Sequence, residues 1–360
     1  MTWITIDKNV QEFAHKNLSE KKNNVFSIAM ILLVLISAAT NNHSVHSEAK
    51  SPNDDSVFYR IETSIRQMEK QFWNQSLAFL RRKKEKLKKT KCYITIDETY
   101  DSYTGKHHKK DSKRLTKEEK QIQKYIHTYK PKNGDTGSFK YLVIALVYGN
   151  KRRVLRVKAL KKKEKYKNFI VDTLKEISKE MSFECALFDR GFYDAKLIDD
   201  LQKEKILFII RAKISKKMKK IFGIYRTWKS YEYLVSGWAK TTLILGKDLK
   251  KRQWGFVTNM QFAKLEEVRF VYKKRWNIEN IFKATDGIQL RVATANHITR
   301  MFAVCLSFLV YNAWQNKNKR STLLEFMKII FSTLLKIIKR VPRAMEFFKI
   351  NQPLWDFITL

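Results

Sequence analysis

Glycine placement constrains this chain more than any other feature. All ten glycines fall between Gly105 and Gly287, so the first 104 residues and the last 73 contain none. Glycine takes tight and left-handed backbone at no steric cost. Sharp reversals are therefore concentrated in the middle, and both flanks are expected to be mostly helical. In the first flank, Val25–Ala39 is apolar except for Ser27 and Ser37. A membrane span needs about 20 such residues, and the acidic and polar residues upstream do not make a signal peptide. The run reads as a buried core helix, and no membrane partner is expected. Ser56–Leu87 is a second helix, with Ile61, Ile65, Met68, Phe72, Leu77 and Leu80 at helical spacing. It ends in Arg81-Arg82-Lys83-Lys84-Glu85-Lys86-Leu87-Lys88-Lys89-Thr90-Lys91, where eight of eleven residues are basic.

The glycine-bearing middle alternates. Cys92–Asp97 is a β-branched and aromatic strand. Gly105 to Gly137 is polar and Lys-rich, and reads as an extended loop with a short helix near Lys117–Tyr129. Phe139–Tyr148 is a strand buried on both faces, Gly149-Asn150 a turn and Arg153–Leu160 a third strand. Tyr166–Met181 is helical, Cys185–Phe188 a short strand delivering Asp189, Asp194–Glu204 a helix and Ile206–Arg211 a fifth strand. Three antiparallel-type strands, then helix, strand, helix, strand, give an α/β fold in the order of an RNase H-like core. Ala212–Arg252 reads as a small β-rich insertion, with strands at Tyr231–Val235 and Thr241–Leu245. Trp254–Thr258 is a further strand and Gln261–Asp286 one long helix. Met301–Trp314 is an apolar helix, and Ser321–Ile350 is amphipathic.

Charge narrows the function. Lys plus Arg number 73 against 35 Asp plus Glu, a formal charge of +38. Such a field draws in polyanions, above all nucleic acid, and an enzyme of a small neutral metabolite has no need of it. Two basic runs are expected to follow a DNA backbone: the Arg81, Arg82, Lys83, Lys84 run, and Lys151–Lys167, which begins Lys151-Arg152-Arg153. Cys92, Cys185 and Cys305 lie far apart with no CxxC. That excludes a zinc ribbon or disulfide scaffold and favours a reducing compartment, the cytoplasm with its nucleoid. His107-His108 has no third ligand at sensible spacing and reads as part of a DNA-facing loop. Of Trp228, Trp238, Trp254 and Trp276, which could stack on an unpaired base, one is expected to face DNA and the rest to be core.

Three carboxylates stand out by context. Asp97 ends the first strand, Asp189 follows the fourth, and Glu279 lies in the long helix, at gaps of 92 and 90 residues. Singly, each is an ordinary turn, cap or ion-pair residue. Together, strand ends and a helix docked across them form a cluster that persists only around cations. Oxygen ligands suit two Mg²⁺ or Mn²⁺ ions and phosphodiester chemistry. With Tyr272 at zero, Arg275, Glu279 and Lys283 fall at about −60°, −20° and +20° on the helix. That stripe suits a metal ligand flanked by phosphate binders, with an Arg275–Glu279–Lys283 ion-pair ladder as the plain alternative.

At these residues the chain resembles IS4-type DDE transposases. Tyr272-x2-Arg275-x3-Glu279 is similar to their C-terminal signature, and Phe188-Asp189-Arg190-Gly191-Phe192 to their second-aspartate motif. Within the group it looks most like the ISH3-like transposases, over roughly residues 93–314. The resemblance implies an RNase H-like catalytic core with a β-rich insertion, and cut-and-paste DNA transposition. It implies Asp97, Asp189 and Glu279 as catalytic and metal-holding residues. Tyr272 and Arg275 are implied as phosphate contacts, with Arg190 and Lys283 as further candidates. The group's pattern has lysine seven residues after the glutamate, where this chain has Asp286; Lys283 lies one turn early. The expected organisation is a helical DNA-binding and dimerisation region at 1–90, a catalytic domain at 91–300 with the insertion at 212–253, and a C-terminal helical region at 301–360. Partners are double-stranded DNA (terminal inverted repeats and target) and a second protomer. The alternatives are an RNase H-fold nuclease without strand transfer, and a decayed or repurposed DNA-binding protein without catalysis.

Overall fold

The structure is a computed structural model that describes residue 16 and residues 63–105, 115–132, 135–216, 218–220, 228–248, 250–289, 295–316 and 322–338. The run Val25–Ala39, the His107-His108 pair, and the stretch after Ile338 lie outside the described residues.

The core is one mixed sheet of nine strands. β1 (Cys92–Tyr103) lies at its centre, antiparallel to β3 (Asp135–Tyr148) and parallel to β5 (Cys185–Phe188). β4 (Lys151–Leu160) pairs antiparallel with β3, and β6 (Phe208–Arg211) parallel with β5. Three antiparallel strands followed by two parallel ones are the arrangement expected of an RNase H-like core. β3 and β4 are joined by a turn in which Gly149 takes φ +53°, the conformation glycine permits.

Helices cover both faces. α1 (Ile65–Lys88) starts at a capping box in which Ser64 and Gln67 satisfy each other's backbone N–H groups. Its second half buries Phe79, Leu80 and Leu87 with α3 (Lys167–Glu180) and α4 (Ala195–Lys203) against Ile94, Ile96 and Phe188. The other face is covered by α5 (Leu265–Tyr272), α6 (Trp276–Asp286) and α7 (His297–Asn316). α7 is buried nearly all round, and its Asn312 amide pairs with both the N–H and the carbonyl of Val154 on β4. Helix α8 (Leu323–Ile338) completes the described chain. Among the described residues no helix is long and apolar enough to cross a membrane.

Three expectations need correcting. β1 runs six residues past Asp97. The Lys-rich stretch is not all loop: after α2 (Lys117–Gln123) it forms β2 (Ile126–Lys132), paired with the start of β3. Its polarity is that of an edge strand, which needs few apolar side chains. The insertion is β-rich as expected, and its strands join the central sheet. β7 (Lys229–Val235), β8 (Ala239–Lys247) and β9 (Gln253–Thr258) continue the central sheet through β9 against β6. Finally, the long helix is broken by a 3₁₀ turn at Lys273–Arg275, between α5 and α6.

Candidate active site

The register of the parallel strands builds the site. Ile96 pairs with Phe188, and Phe188 with Ile210. The residues that follow are Asp97, Asp189 and Arg211, so three charged side chains sit at equivalent positions on neighbouring strands. β1 continues beyond Asp97, but its pairing with β5 stops at Ile96. Asp189 occupies the N-cap of the 3₁₀ turn Arg190–Phe192 yet makes no side-chain cap, which leaves its carboxylate to the cleft. Gly191 is not required by a positive φ, and an added Cβ would meet only open space. Phe192 is buried against Phe188.

The α5–α6 joint lies across these strand ends. Tyr272 is 6% exposed and donates its hydroxyl to the Phe188 carbonyl at 3.2 Å. Burial pushes that phenol up to about 12. The hydroxyl is therefore engaged in positioning, and only an edge of Tyr272 reaches the open cavity beside it. Tyr272 pins the helix so that Arg275 reaches inward. Arg275 donates to Asp97 Oδ2 at 3.0 Å and, from its other terminal nitrogen, to Glu279 Oε1. The three side chains are 8%, 19% and 33% exposed in the order Arg275, Asp97, Glu279. Burial pushes the Asp97 carboxyl up to about 6, while the Glu98 N–H and Arg275 pull it down and nearby Asp189 and Glu279 add to the rise. Asp97, Asp189 and Glu279 are thus one electrostatic cluster, with Arg275 as its counter-charge.

Other candidates stand elsewhere. Lys283 and Arg190 are exposed, and among the described residues neither enters an ion pair with the cluster. The ladder therefore ends at Arg275–Glu279. Arg153 is 2% exposed, with its guanidinium 4.0 Å from the Phe79 ring centre. It is core beneath α1, not a DNA contact. Arg152 donates to Asn277, and Lys151 is half-buried. Arg82, Lys83 and Lys84 are exposed, while Arg81 pairs with Glu180 at 2.7 Å. This basic helix end leads into the start of β1, five residues or roughly 17 Å of strand away from Asp97.

The sequence reading missed Arg211. Its guanidinium lies 4.0 Å from the Trp254 ring centre, with Arg269 on the same ring at 4.7 Å. A charged residue closing the apolar run Phe208-Ile209-Ile210 was the only signal, and its meaning depends on the register. Beside it lies an open cavity of about 460 Å³ lined by Arg252, Trp254, Arg269, Phe270, Lys273 and Trp276, among others. Trp276 is 56% and Trp238 54% exposed, so both face solvent.

Among the described residues no group of three or more His, Cys, Asp or Glu is disposed to hold a metal ion. By donor type alone, Asp97, Asp189 and Glu279 offer only carboxylate oxygens, the kind a hard divalent cation takes, and Asp97 and Glu279 share one counter-cation. That counter-cation is a guanidinium in the arrangement observed.

Comparison with known proteins bears on what this cleft is. No curated protein matches the chain. Among solved structures, the cryo-EM structure of a piggyBac transposase synaptic complex with hairpin DNA is similar in fold, with a TM-score of 0.59 at 10% sequence identity. The likeness covers 96% of this chain and 80% of that one. Residues 91–313, more than half of the chain, match the family described as Transposase DDE domain, and the chain belongs to that family.

Proposed function

We propose that this chain moves a DNA element by cut-and-paste transposition, cutting phosphodiester bonds at the element's ends and joining the resulting 3′-hydroxyls to target DNA. What supports this reading is that register sets Asp97 and Asp189 at neighbouring strand ends, and that Arg275 ties Asp97 to Glu279 on α6. Asp97, Asp189 and Glu279 would hold the two Mg²⁺ or Mn²⁺ ions. When bound, such ions activate the attacking oxygen and stabilise the leaving one. The chain's own part is positioning. Tyr272 fixes the helix to the strand end, Asp97 and Asp189 sit side by side, and Glu279 closes the cleft. Arg190, Arg211 and Lys283 offer guanidinium and ammonium groups to DNA phosphates. The exposed basic end of α1 reaches a DNA segment away from the cleft.

The same reading makes residues 1–90 a DNA-binding and dimerisation region, 91–300 the catalytic domain and 301–360 a helical C-terminal region. Element ends come in pairs, so a homodimer on DNA follows, acting at the nucleoid. The Tyr272–Arg275–Glu279 spacing supports an IS4-type, ISH3-like subgroup.

The test is a strand-cleavage and strand-transfer assay on the element's own ends in Mg²⁺. The parent should nick and join; Glu279→Gln should lose on the order of 10³-fold, the scale of removing a group that stabilises transition-state charge. Equal rates for the two would remove Glu279 from the site. Cleavage without joining of pre-cleaved ends would make the chain a nuclease.

A further inference from the structure

We propose that Arg275 is a resident counter-cation of the carboxylate cluster, and that it must leave Asp97 or Glu279 before divalent ions are held there. DNA phosphate, by taking the guanidinium, would then couple ion loading to DNA binding. The inference rests on the two-ion reading of the site and adds a competitor already inside it.

Three observations carry it. First, the two terminal nitrogens of Arg275 reach carboxylates from two different elements, β1 and α6, and the side chain is 8% exposed. A guanidinium so placed occupies the oxygens an ion would need, and it cannot contact a phosphate outside. Second, its Nε is buried with no hydrogen-bond partner. The fork keeps one unused donor, and a phosphate can take it together with a terminal N–H as two parallel bonds. Third, Arg275 ends the 3₁₀ turn between α5 and α6. A short 3₁₀ stretch inside a helix is a common hinge, so the guanidinium can swing while Tyr272 holds α5 in place.

Electrostatics sets the direction. One guanidinium against three carboxylates leaves the cluster anionic, so Arg275 is attracted. Two divalent ions would overcompensate the same carboxylates and turn that attraction into repulsion. Anionic DNA arriving at the mouth restores the balance and supplies the guanidinium with an acceptor. Ion and DNA binding are then positively linked, and linkage is reciprocal.

The experiment is Mn²⁺ binding to the full chain, read by electron paramagnetic resonance of the free ion, without and with a short duplex. No turnover enters the measurement. Arg275→Gln should bind Mn²⁺ about tenfold more tightly than the parent without DNA, within the usual range of coupling energies. Adding the duplex should tighten Mn²⁺ binding by the parent and much less by Arg275→Gln. Arg275→Lys keeps a charge that cannot span both carboxylates, and should fall between; it also guards against a folding defect in the glutamine variant, checked by thermal melting. If folded Arg275→Gln binds Mn²⁺ equally or more weakly, Arg275 organises the ligands and the proposal is wrong. If parent and variants all fail to bind Mn²⁺, with or without DNA, the two-ion reading itself fails.

Discussion

Strand β1 offers two carboxylates to two arginines, four residues apart. Asp97 meets Arg275, and Asp101 meets Arg300 at 2.6 Å. The chemistry is the same and the surroundings are not. Arg300 is 2% exposed, also donates to the Ser102 carbonyl at 3.0 Å, and lies over the rings of Phe139 and Tyr103. It cannot leave without opening the core between β1 and α7. Arg275 bridges partners that reach the cleft, and its Nε is left over. An ion pair's role is thus set by what surrounds it: one clamps the end of the central strand, the other can be exchanged.

Removing each arginine should separate the two. Arg300→Leu removes a side chain that is 2% exposed and leaves the half-buried Asp101 carboxylate without its partner, which costs about 3–5 kcal/mol. Urea unfolding should show that loss, and the double variant Asp101→Leu/Arg300→Leu should recover much of it. Arg275→Gln should cost less, roughly 1–2 kcal/mol, because glutamine keeps an amide donor for one carboxylate and Glu279 is 33% exposed. Equal losses for the two single variants would erase the distinction.

Acid titration sharpens it. In metal-free protein the Asp97 carboxyl lies at about 6, raised by burial. The unfolded chain ionises near 3.9. Between those values the folded state binds the extra proton, so stability falls as pH rises through the window and the loss is complete above it. Asp97→Asn stays neutral. With chelator present, it should be more stable than the parent at pH 7.5, by about 3 kcal/mol at most, and the gain should vanish near pH 4. Burial raises the Asp101 carboxyl too, so Asp101→Asn should shift with pH in the same direction as Asp97→Asn, offset by the loss of its partner Arg300. Melting temperatures across the pH range decide it; a gain for Asp97→Asn that persists at pH 4 would mean the carboxyl is not the cause.

These contrasts also mark what local pattern can reveal. The order of strands and the three carboxylates were legible, because β-branched runs and strand-ending Asp residues are local signals. The shared register that puts Arg211 beside Asp189 was not, because parallel pairing is fixed by distant residues. Nor was the break at Lys273–Arg275, since Tyr272 to Glu279 fits helical spacing with or without one tighter turn. The inward course of Arg153 was hidden for a similar reason. A basic residue on an edge strand reads as solvated until α1 is seen to cover that face with Phe79 and Trp73.

Cations turned inward and cations turned outward should also differ in salt. Arg153, Arg156, Arg275 and Arg300 are engaged by rings or carboxylates of the fold. Arg82, Lys83, Lys84 and Lys86 stand exposed at the end of α1. Only the second set is free to release counterions from DNA. Binding of a generic duplex should weaken with salt at a log–log slope of about −0.9 per phosphate neutralised. Replacing the four exposed cations by alanine should reduce that slope by up to roughly 3–4 units, while Arg300→Lys leaves it unchanged. Fold stability should move little in the alanine variant, since none of the four is buried. An unchanged slope would place the phosphate contacts elsewhere, at Arg190, Arg211 and Lys283 around the cleft, and would make the basic end of α1 an ordinary solvated helix terminus.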